Sequence, residues 1–241
     1  MRIGLLLCDS VPAADLEVAG DYRQMFSSLL DDENIVAFNA FLGDLPESVT
    51  SCGGYLISGS RSAVYQDERW IRDLEVFIRV AAEASIPMFG VCFGLQVIAT
   101  ALGGVVERSE RGWGGGVHTM RVLGRRPWIA DSMESVSLIM SHQDQVVQLP
   151  TGASRVGSSD HCPNFLVEFA PGVVGIQGHP EFEVPFGSTI YRNQREQYGT
   201  LVDDAIASLV QPTDSRAVAG WIRAILDNVS AEANASGEEA T

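Results

Sequence analysis

Lysine is absent from this 241-residue chain, in which all 16 basic residues are arginine. Without an ammonium side chain, Schiff-base catalysis and a Walker-type phosphate loop are both excluded, because each needs a lysine. Positive charge is scarce altogether: 31 acidic residues against 16 basic ones leave a net charge of −15. Nucleic acid and anionic membrane are therefore disfavoured as main partners. Cysteine is sparse as well. Cys8, Cys52, Cys92 and Cys162 show neither C-x-x-C spacing nor the density of a disulfide scaffold, which argues for free thiols in a reducing compartment and against a structural zinc site. No stretch is apolar for long enough to span a membrane, and the short apolar run inside MRIGLLLCDS falls below the length of a secretory signal core. A soluble, cytoplasmic protein is expected.

What the chain does have is ample core material, 46% hydrophobic residues, enough for one full α/β domain. Arg2 to Cys8 is a continuous apolar run of the kind that forms a strand buried on both faces of a parallel sheet, and Cys8 belongs to that core. Asp21 to Leu30 carries Tyr22, Met25, Phe26, Leu29 and Leu30 at helical spacing, and Asn34 to Phe41 returns to strand character. Gly53 to Ile57 is a further buried strand that ends in the small-residue turn Ser58-Gly59-Ser60-Arg61. Ligands of open parallel sheets bind at such strand ends, so exposed N–H groups there are candidate oxyanion donors, although a plain strand-to-helix turn reads the same way. Asp67 to Ala84 is a helix with one apolar stripe from Trp70 to Ala81.

The stretch from Pro87 to Gly104 carries the first chemical signal. Met88 to Val91 reads as a strand, Cys92-Phe93-Gly94 as a sharp turn, and Leu95, Val97, Ile98, Ala101 and Leu102 as a helix that stops at Gly103-Gly104. Gly90 and Gly94 flank Cys92 at minus two and plus two, the spacing of a nucleophile elbow with cysteine in place of serine. A thiol there sits at a helix N-terminus, where free N–H groups and the helix dipole favour the thiolate. Taken alone, the motif also fits a buried cysteine at an ordinary turn. A base and an orienting group must come from elsewhere.

Val173 to Ile176 is a buried strand followed by Gln177-Gly178-His179-Pro180-Glu181-Phe182. Proline holds the residue before it in an extended conformation, and residues i and i+2 of an extended segment point to the same side. His179 and Glu181 are thereby set side by side, one imidazole nitrogen on the carboxylate and the other free for a third group. With Cys92 they make a nucleophile, base and orienter set. Between the two motifs, Val105 to Arg108, Val117 to Leu123, Ser137 to Ser141 and Arg155 to Gly157 read as short strands of a more antiparallel region, and Glu110 to Gly116 reads as a loop. Trp113 within that loop is either a hydrophobic plug or the wall of a small-molecule pocket. His142 sits where a strand ends, as a satisfied turn histidine or a site residue. Phe165 to Phe169 is a strand. Helices are expected over Ser188 to Tyr198, Thr200 to Leu209 and Asp214 to Asn228, with residues 1–229 forming one domain and the acidic segment Ser230 to Thr241 a disordered tail.

On FGVCFGLQ and QGHPEF, the chain resembles the class I (triad) glutamine amidotransferases, and among them stand-alone members similar to the amidotransferase domain of GMP synthase. The resemblance runs from Arg2 to about Asn228. It implies an open, mostly parallel, flavodoxin-like α/β sheet flanked by helices, with a smaller antiparallel region and C-terminal helices. By it Cys92 is the nucleophile, His179 the general base and Glu181 its orienter. The backbone N–H groups of Phe93 and Ser60 form the oxyanion hole, Ser60 standing where the family has a glycine. Gln96, four residues after the nucleophile, holds substrate, with Gly59, Trp113 and His142 around it. No metal or cofactor is implied. The fate of the nitrogen stays open: glutamine hydrolysis feeding a separate synthetase subunit, hydrolysis of a γ-glutamyl amine or peptide, or a non-catalytic binding module.

Overall fold

Short apolar runs that have no polar face fold as strands covered on both sides, and here they make the parallel half of a nine-stranded sheet. The computed structural model describes residues 2–238. In chain order the strands are β1 (Ile3–Leu6), β2 (Val36–Phe38), β3 (Gly54–Ile57), β4 (Met88–Val91), β5 (Val105–Arg108), β6 (Gly114–Val122), β7 (Ser135–His142), β8 (Asp144–Gln148), β9 (Ser154–Ser158), β10 (Leu166–Ala170) and β11 (Val173–Ile176). The helices are α1 (Leu16–Ala19), α2 (Tyr22–Leu30), α3 (Arg69–Glu83), α4 (Phe93–Ala101), α5 (Val184–Asn193), α6 (Arg195–Tyr198), α7 (Leu201–Ser208) and α8 (Ser215–Glu238).

The sheet runs β2-β1-β3-β4-β11-β10-β9-β6-β7. Strands β2, β1, β3, β4 and β11 are mutually parallel, and from β10 onward each strand is antiparallel to its neighbour. The antiparallel region is thus an extension of the same sheet, joined by a separate β5-β8 ribbon. Alternation along the parallel strands splits the core in two. Leu5, Leu56 and Phe89 pack under α2 and α8 with Phe26, Trp221 and Ile222, whereas Leu6, Tyr55, Ile57 and Met88 pack under α3 and α4 with Leu74, Ile78, Val97 and Ile98. A third cluster of Phe182, Phe186, Tyr191, Val202 and Leu209 seats α5 and α7 against Ile139. The first turn of α2 is fixed by a capping box, Asp21 accepting from the Gln24 N–H and the Gln24 side chain accepting from the Asp21 N–H.

The expected elements are present with four differences. Gly114, Gly115 and Gly116 are not loop residues: they open β6 and pair with His142, Ser141 and Met140 of β7. A Cβ on Gly114 would lie 2.4 Å from the His142 ring and one on Gly115 2.2 Å from the Trp113 ring, so glycine lets this edge pair while two rings pass over it. Strand β8 was not anticipated. The helix expected from Ser188 begins at Val184, with Pro185 in its first turn, and breaks at Gln194 into α5 and α6. Helix α8 extends to Glu238, past the expected boundary at residue 229, and residues 239–241 of the acidic tail lie outside the described residues. No helix among the described residues is long and apolar enough to cross a membrane.

Glycine spacing is decisive at the turn between β4 and α4. A Cβ on Gly90 would lie 2.3 Å from the Gly94 carbonyl carbon, and one on Gly94 would lie 2.2 Å from the Ile57 carbonyl oxygen. Gly94→Ala is expected to cost about 3 kcal/mol or more in chemical denaturation, since backbone atoms cannot yield as a side chain can. Gly220→Ala in α8, where a Cβ meets nothing within 4 Å, is expected to stabilise by about 0.5–1 kcal/mol.

Candidate active site

Four parallel strands end at one place. The segments after β1, β3, β4 and β11 supply Asp9, the 58–61 turn, Cys92 and the 177–181 segment, all at the carboxyl edge where open α/β sheets hold ligands. Cys92 has φ 53° and ψ −104°, a conformation rarely adopted by a residue with a Cβ and costing of order 1–3 kcal/mol. Its N–H is tied to Ile176 O at 2.8 Å, and helix α4 begins at the next residue. The other three thiols, at Cys8, Cys52 and Cys162, are pushed up in pKa by burial, Cys162 to about 12, so none competes as a thiolate near neutral pH.

His179 and Glu181 are both buried, at 4% exposure each, and His179 Nδ1 lies 2.8 Å from Glu181 Oε1. The ring is held flat on Phe182, with centroids 3.9 Å apart and 4° between planes, and its backbone N–H donates to Ile139 O. A methyl placed on Gly59 would sit 2.9 Å from His179 Cε1 and 3.7 Å from Cys92 Cβ, which sets imidazole and thiol together beside that glycine. Burial by itself would lower the His179 pKa, but the Glu181 carboxylate and the Cys92 sulfur outweigh it and raise the imidazole to about 10.

Gln177 was not singled out from the sequence, yet it completes the group. Its Nε2 donates to Cys92 Sγ at 3.4 Å, and its Oε1 accepts from Gln96 Nε2 at 3.2 Å. The signal was available: Gln177 is two residues before His179 in the same extended segment, so the rule that pairs His179 with Glu181 extends to it. Gln96 Nε2 also donates to Asp144 O at 2.7 Å, while its Oε1 has no hydrogen-bond partner among the described residues.

The turn after β3 is pinned from both sides. Ser58 Oγ accepts from the Cys8 N–H and donates to Gly59 O. Asp9 Oδ2 accepts from both the Arg61 backbone N–H, at 3.0 Å, and Arg61 Nε, at 2.7 Å, and Asp9 Oδ1 accepts from a second guanidinium nitrogen at 2.7 Å. The two peptide groups flanking Ser60 are therefore fixed. Among the described residues neither the Ser60 N–H nor the Phe93 N–H has an acceptor. Ser60 lines the cavity that holds the thiol, and Phe93 follows Cys92 at the start of α4. That cavity, about 460 Å³ in volume, also takes in Gln96, Trp113, His142, His179 and Tyr198.

A model of class-I glutamine amidotransferases matches residues 36–196, two thirds of the chain, including Ser60, Cys92, Gln96, Gln177, His179 and Glu181. The chain belongs to the class-I glutamine amidotransferase family. Among similar proteins, γ-glutamyl peptidase 2 of Arabidopsis thaliana is 30% identical over 173 residues, 69% of this chain and 70% of that protein. A GMP synthase (glutamine-hydrolysing) of Dehalococcoides mccartyi is 32% identical over 142 residues, 58% of this chain but only 26% of that protein. Of solved structures, a glutamine amidotransferase from Thermotoga maritima superposes with a TM-score of 0.78 at 17% identity, covering 95% of this chain and 99% of that one. This family consists of hydrolytic enzymes, and the sheet described above is its fold.

In this cavity, Trp113 serves as both plug and wall. It stacks on Tyr198, with centroids 4.4 Å apart and 5° between planes, meets Tyr191 edge-on, and lines the cavity. His142 lines the cavity too, but it is not a freely titrating group. Its Nε2 lies 3.2 Å from Gln145 Nε2, an amide donor, and its buried Nδ1 has no partner. Burial, together with His161, His118 and His179, lowers its pKa well below 6.5. Among the described residues no group of three or more His, Cys, Asp or Glu side chains is disposed to hold a metal ion.

The two histidines should therefore titrate in opposite directions. Imidazole NMR should find His179 still protonated at pH 8 and His142 neutral at pH 6, and Glu181→Gln should bring the His179 transition down toward the ordinary value. In linkage terms, a raised His179 pKa stabilises the fold in full below about pH 6.5, a contribution lost as pH rises through about 10. The lowered His142 pKa does the reverse, contributing above about 6.5 and losing that contribution as pH falls.

Proposed function

We propose that the chain hydrolyses γ-glutamyl amides through a γ-glutamyl thioester on Cys92. The observation that carries this reading is the buried 2.8 Å His179–Glu181 pair set against a cysteine held at positive φ. The Cys92 thiolate attacks the γ-carbonyl, and the oxyanion that forms takes hydrogen bonds from the Phe93 and Ser60 N–H groups. His179, as imidazolium, gives its proton to the amide nitrogen, the C–N bond breaks and the amine departs. Water then attacks the thioester, passing a proton to His179, and the γ-carboxylate leaves with the thiolate restored. Glu181 keeps the imidazole in place and favours its charged form. Gln177 holds the sulfur, and Gln96 and His142 face the glutamyl portion.

Whether the departing group is ammonia or a larger amine bears on partners. In an amidotransferase subunit, ammonia would pass to a separate synthetase, and the chain spans about a quarter of the length of the GMP synthases it matches. A cavity of about 460 Å³, within the range of about 300–1,000 Å³ of clefts that hold drug-sized ligands, has room for a γ-glutamyl amide or peptide as well as for glutamine. Hydrolysis of such a compound needs no second subunit.

Purified protein should hydrolyse γ-glutamyl amides, and Cys92→Ala should abolish the activity while leaving the melting temperature within a few degrees of wild type. Glu181→Gln should lower kcat by about 10²- to 10⁴-fold. A Cys92→Ala protein that kept the wild-type rate would exclude the thioester route, and a well-folded wild type inert toward glutamine and every γ-glutamyl amide would leave a binding module as the reading.

A further inference from the structure

Beyond His179 the cavity continues along a wall that the acyl-transfer chemistry does not use. Phe182, stacked on His179, meets Phe186 with centroids 4.8 Å apart, and Phe186 meets Tyr22 at 6.4 Å. An aromatic row therefore leads from the imidazole to Tyr22, and Phe182, Phe186 and Tyr22 all line the cavity. Asp15, from the single helical turn after β1, lines it as well. Its side chain is buried, at 6% exposure. Asn193 Nδ2, at the end of α5, donates to Asp15 Oδ2 at 3.0 Å, while Oδ1 has no hydrogen-bond partner among the described residues.

A carboxylate removed from water is costly unless a cation or several donors meet it. Arg61 is the one guanidinium on the cavity wall, and Asp9 already engages it through two nitrogens. The other lining carboxylate, Asp144 at the start of β8, accepts from the Tyr65 hydroxyl, and its own backbone carbonyl accepts from Gln96, at the glutamyl end. Asp15 thus lines the cavity with no ion pair of its own among the described residues, Arg61 acting on it only through space.

Resting on the roles assigned to Cys92 and His179 above, we propose that Asp15 is the end of a leaving-group subsite that takes an ammonium. The substrate class is then γ-glutamyl amides of amines that carry a second, cationic nitrogen. The departing nitrogen emerges beside His179, a short methylene chain lies along Phe182, Phe186 and Tyr22, and the distal ammonium pairs with Asp15. An aromatic wall and a carboxylate on one cavity suit a chain of that kind, and a carboxylate-ended leaving group would meet like charge there.

The test compares three γ-glutamyl amides of equal length, made from 1,4-diaminobutane, 4-aminobutan-1-ol and 4-aminobutyrate. For wild type, kcat/KM should be about tenfold or more higher for the ammonium-ended amide than for the hydroxyl-ended one, and lowest for the carboxylate-ended one. In Asp15→Asn, which keeps an oxygen for Asn193, the ratio of the first two should fall to near one. Equal rates on wild type, a preference for the carboxylate-ended amide, or a ratio unmoved by Asp15→Asn overturns the subsite while leaving the thioester chemistry standing. Failure to hydrolyse any of the three, with glutamine still turned over through a γ-glutamyl adduct on Cys92, overturns the subsite alone, whereas failure on all three and on glutamine, with no adduct, overturns both.

Discussion

The site depends on one backbone constraint, the left-handed conformation of Cys92 between two glycines. A residue with φ 53° at a strand-to-helix junction has its side chain thrown clear of the sheet, and it can be held there only if its surroundings over-determine it. They do. Gly90 lets α4 lie against β4, Gly94 lets α4 lie against β3, and the Cys92 N–H is tied to β11. The same contacts that strain the cysteine align three parallel strands, so strain and sheet register are parts of one arrangement. The chain cannot relax at Cys92 without losing packing between α4 and two strands.

Electrostatics does the second part of the work, on a chain that carries little positive charge. With no lysine and a net charge of −15, the positive charge beside the thiol is supplied by an imidazole kept protonated by Glu181. Arg61, the guanidinium on the same cavity wall, is given over to fixing the 58–61 turn through Asp9. The neighbours decide the direction in each case: burial would strip the proton from His179 but is outweighed by a carboxylate at 2.8 Å, whereas His142 has no such carboxylate among the described residues and stays neutral. Two histidines on one cavity are thereby given opposite charge states by their neighbours alone.

Much of this was legible in the sequence because it is local. The elbow is five residues long, His179-Pro180-Glu181 is three, and both follow from backbone rules that act within a turn. Gln177 was equally legible, since the same two-residue period that joins His179 to Glu181 passes through it. What the sequence did not disclose is what comes from far along the chain. Gly114 to Gly116 read as loop because their partner, β7, is long-range, and because the reason for glycine there is the bulk of His142 and Trp113. The Asp9 clamp on Arg61 spans 52 positions, and Asp15 meets Asn193 across 178. No periodicity connects such pairs. The same clamp fixes the peptides flanking Ser60 and leaves its N–H free whatever its side chain.

The most direct measurement is the covalent state of Cys92 during turnover. Acid quenching of wild-type protein mixed with a γ-glutamyl amide, followed by peptide mass spectrometry, should show a γ-glutamyl group on the peptide containing Cys92 that appears before steady state and disappears when substrate is exhausted. Turnover of the amide with Cys92 unmodified at every time, or with the γ-glutamyl group on another side chain, would contradict the thioester mechanism.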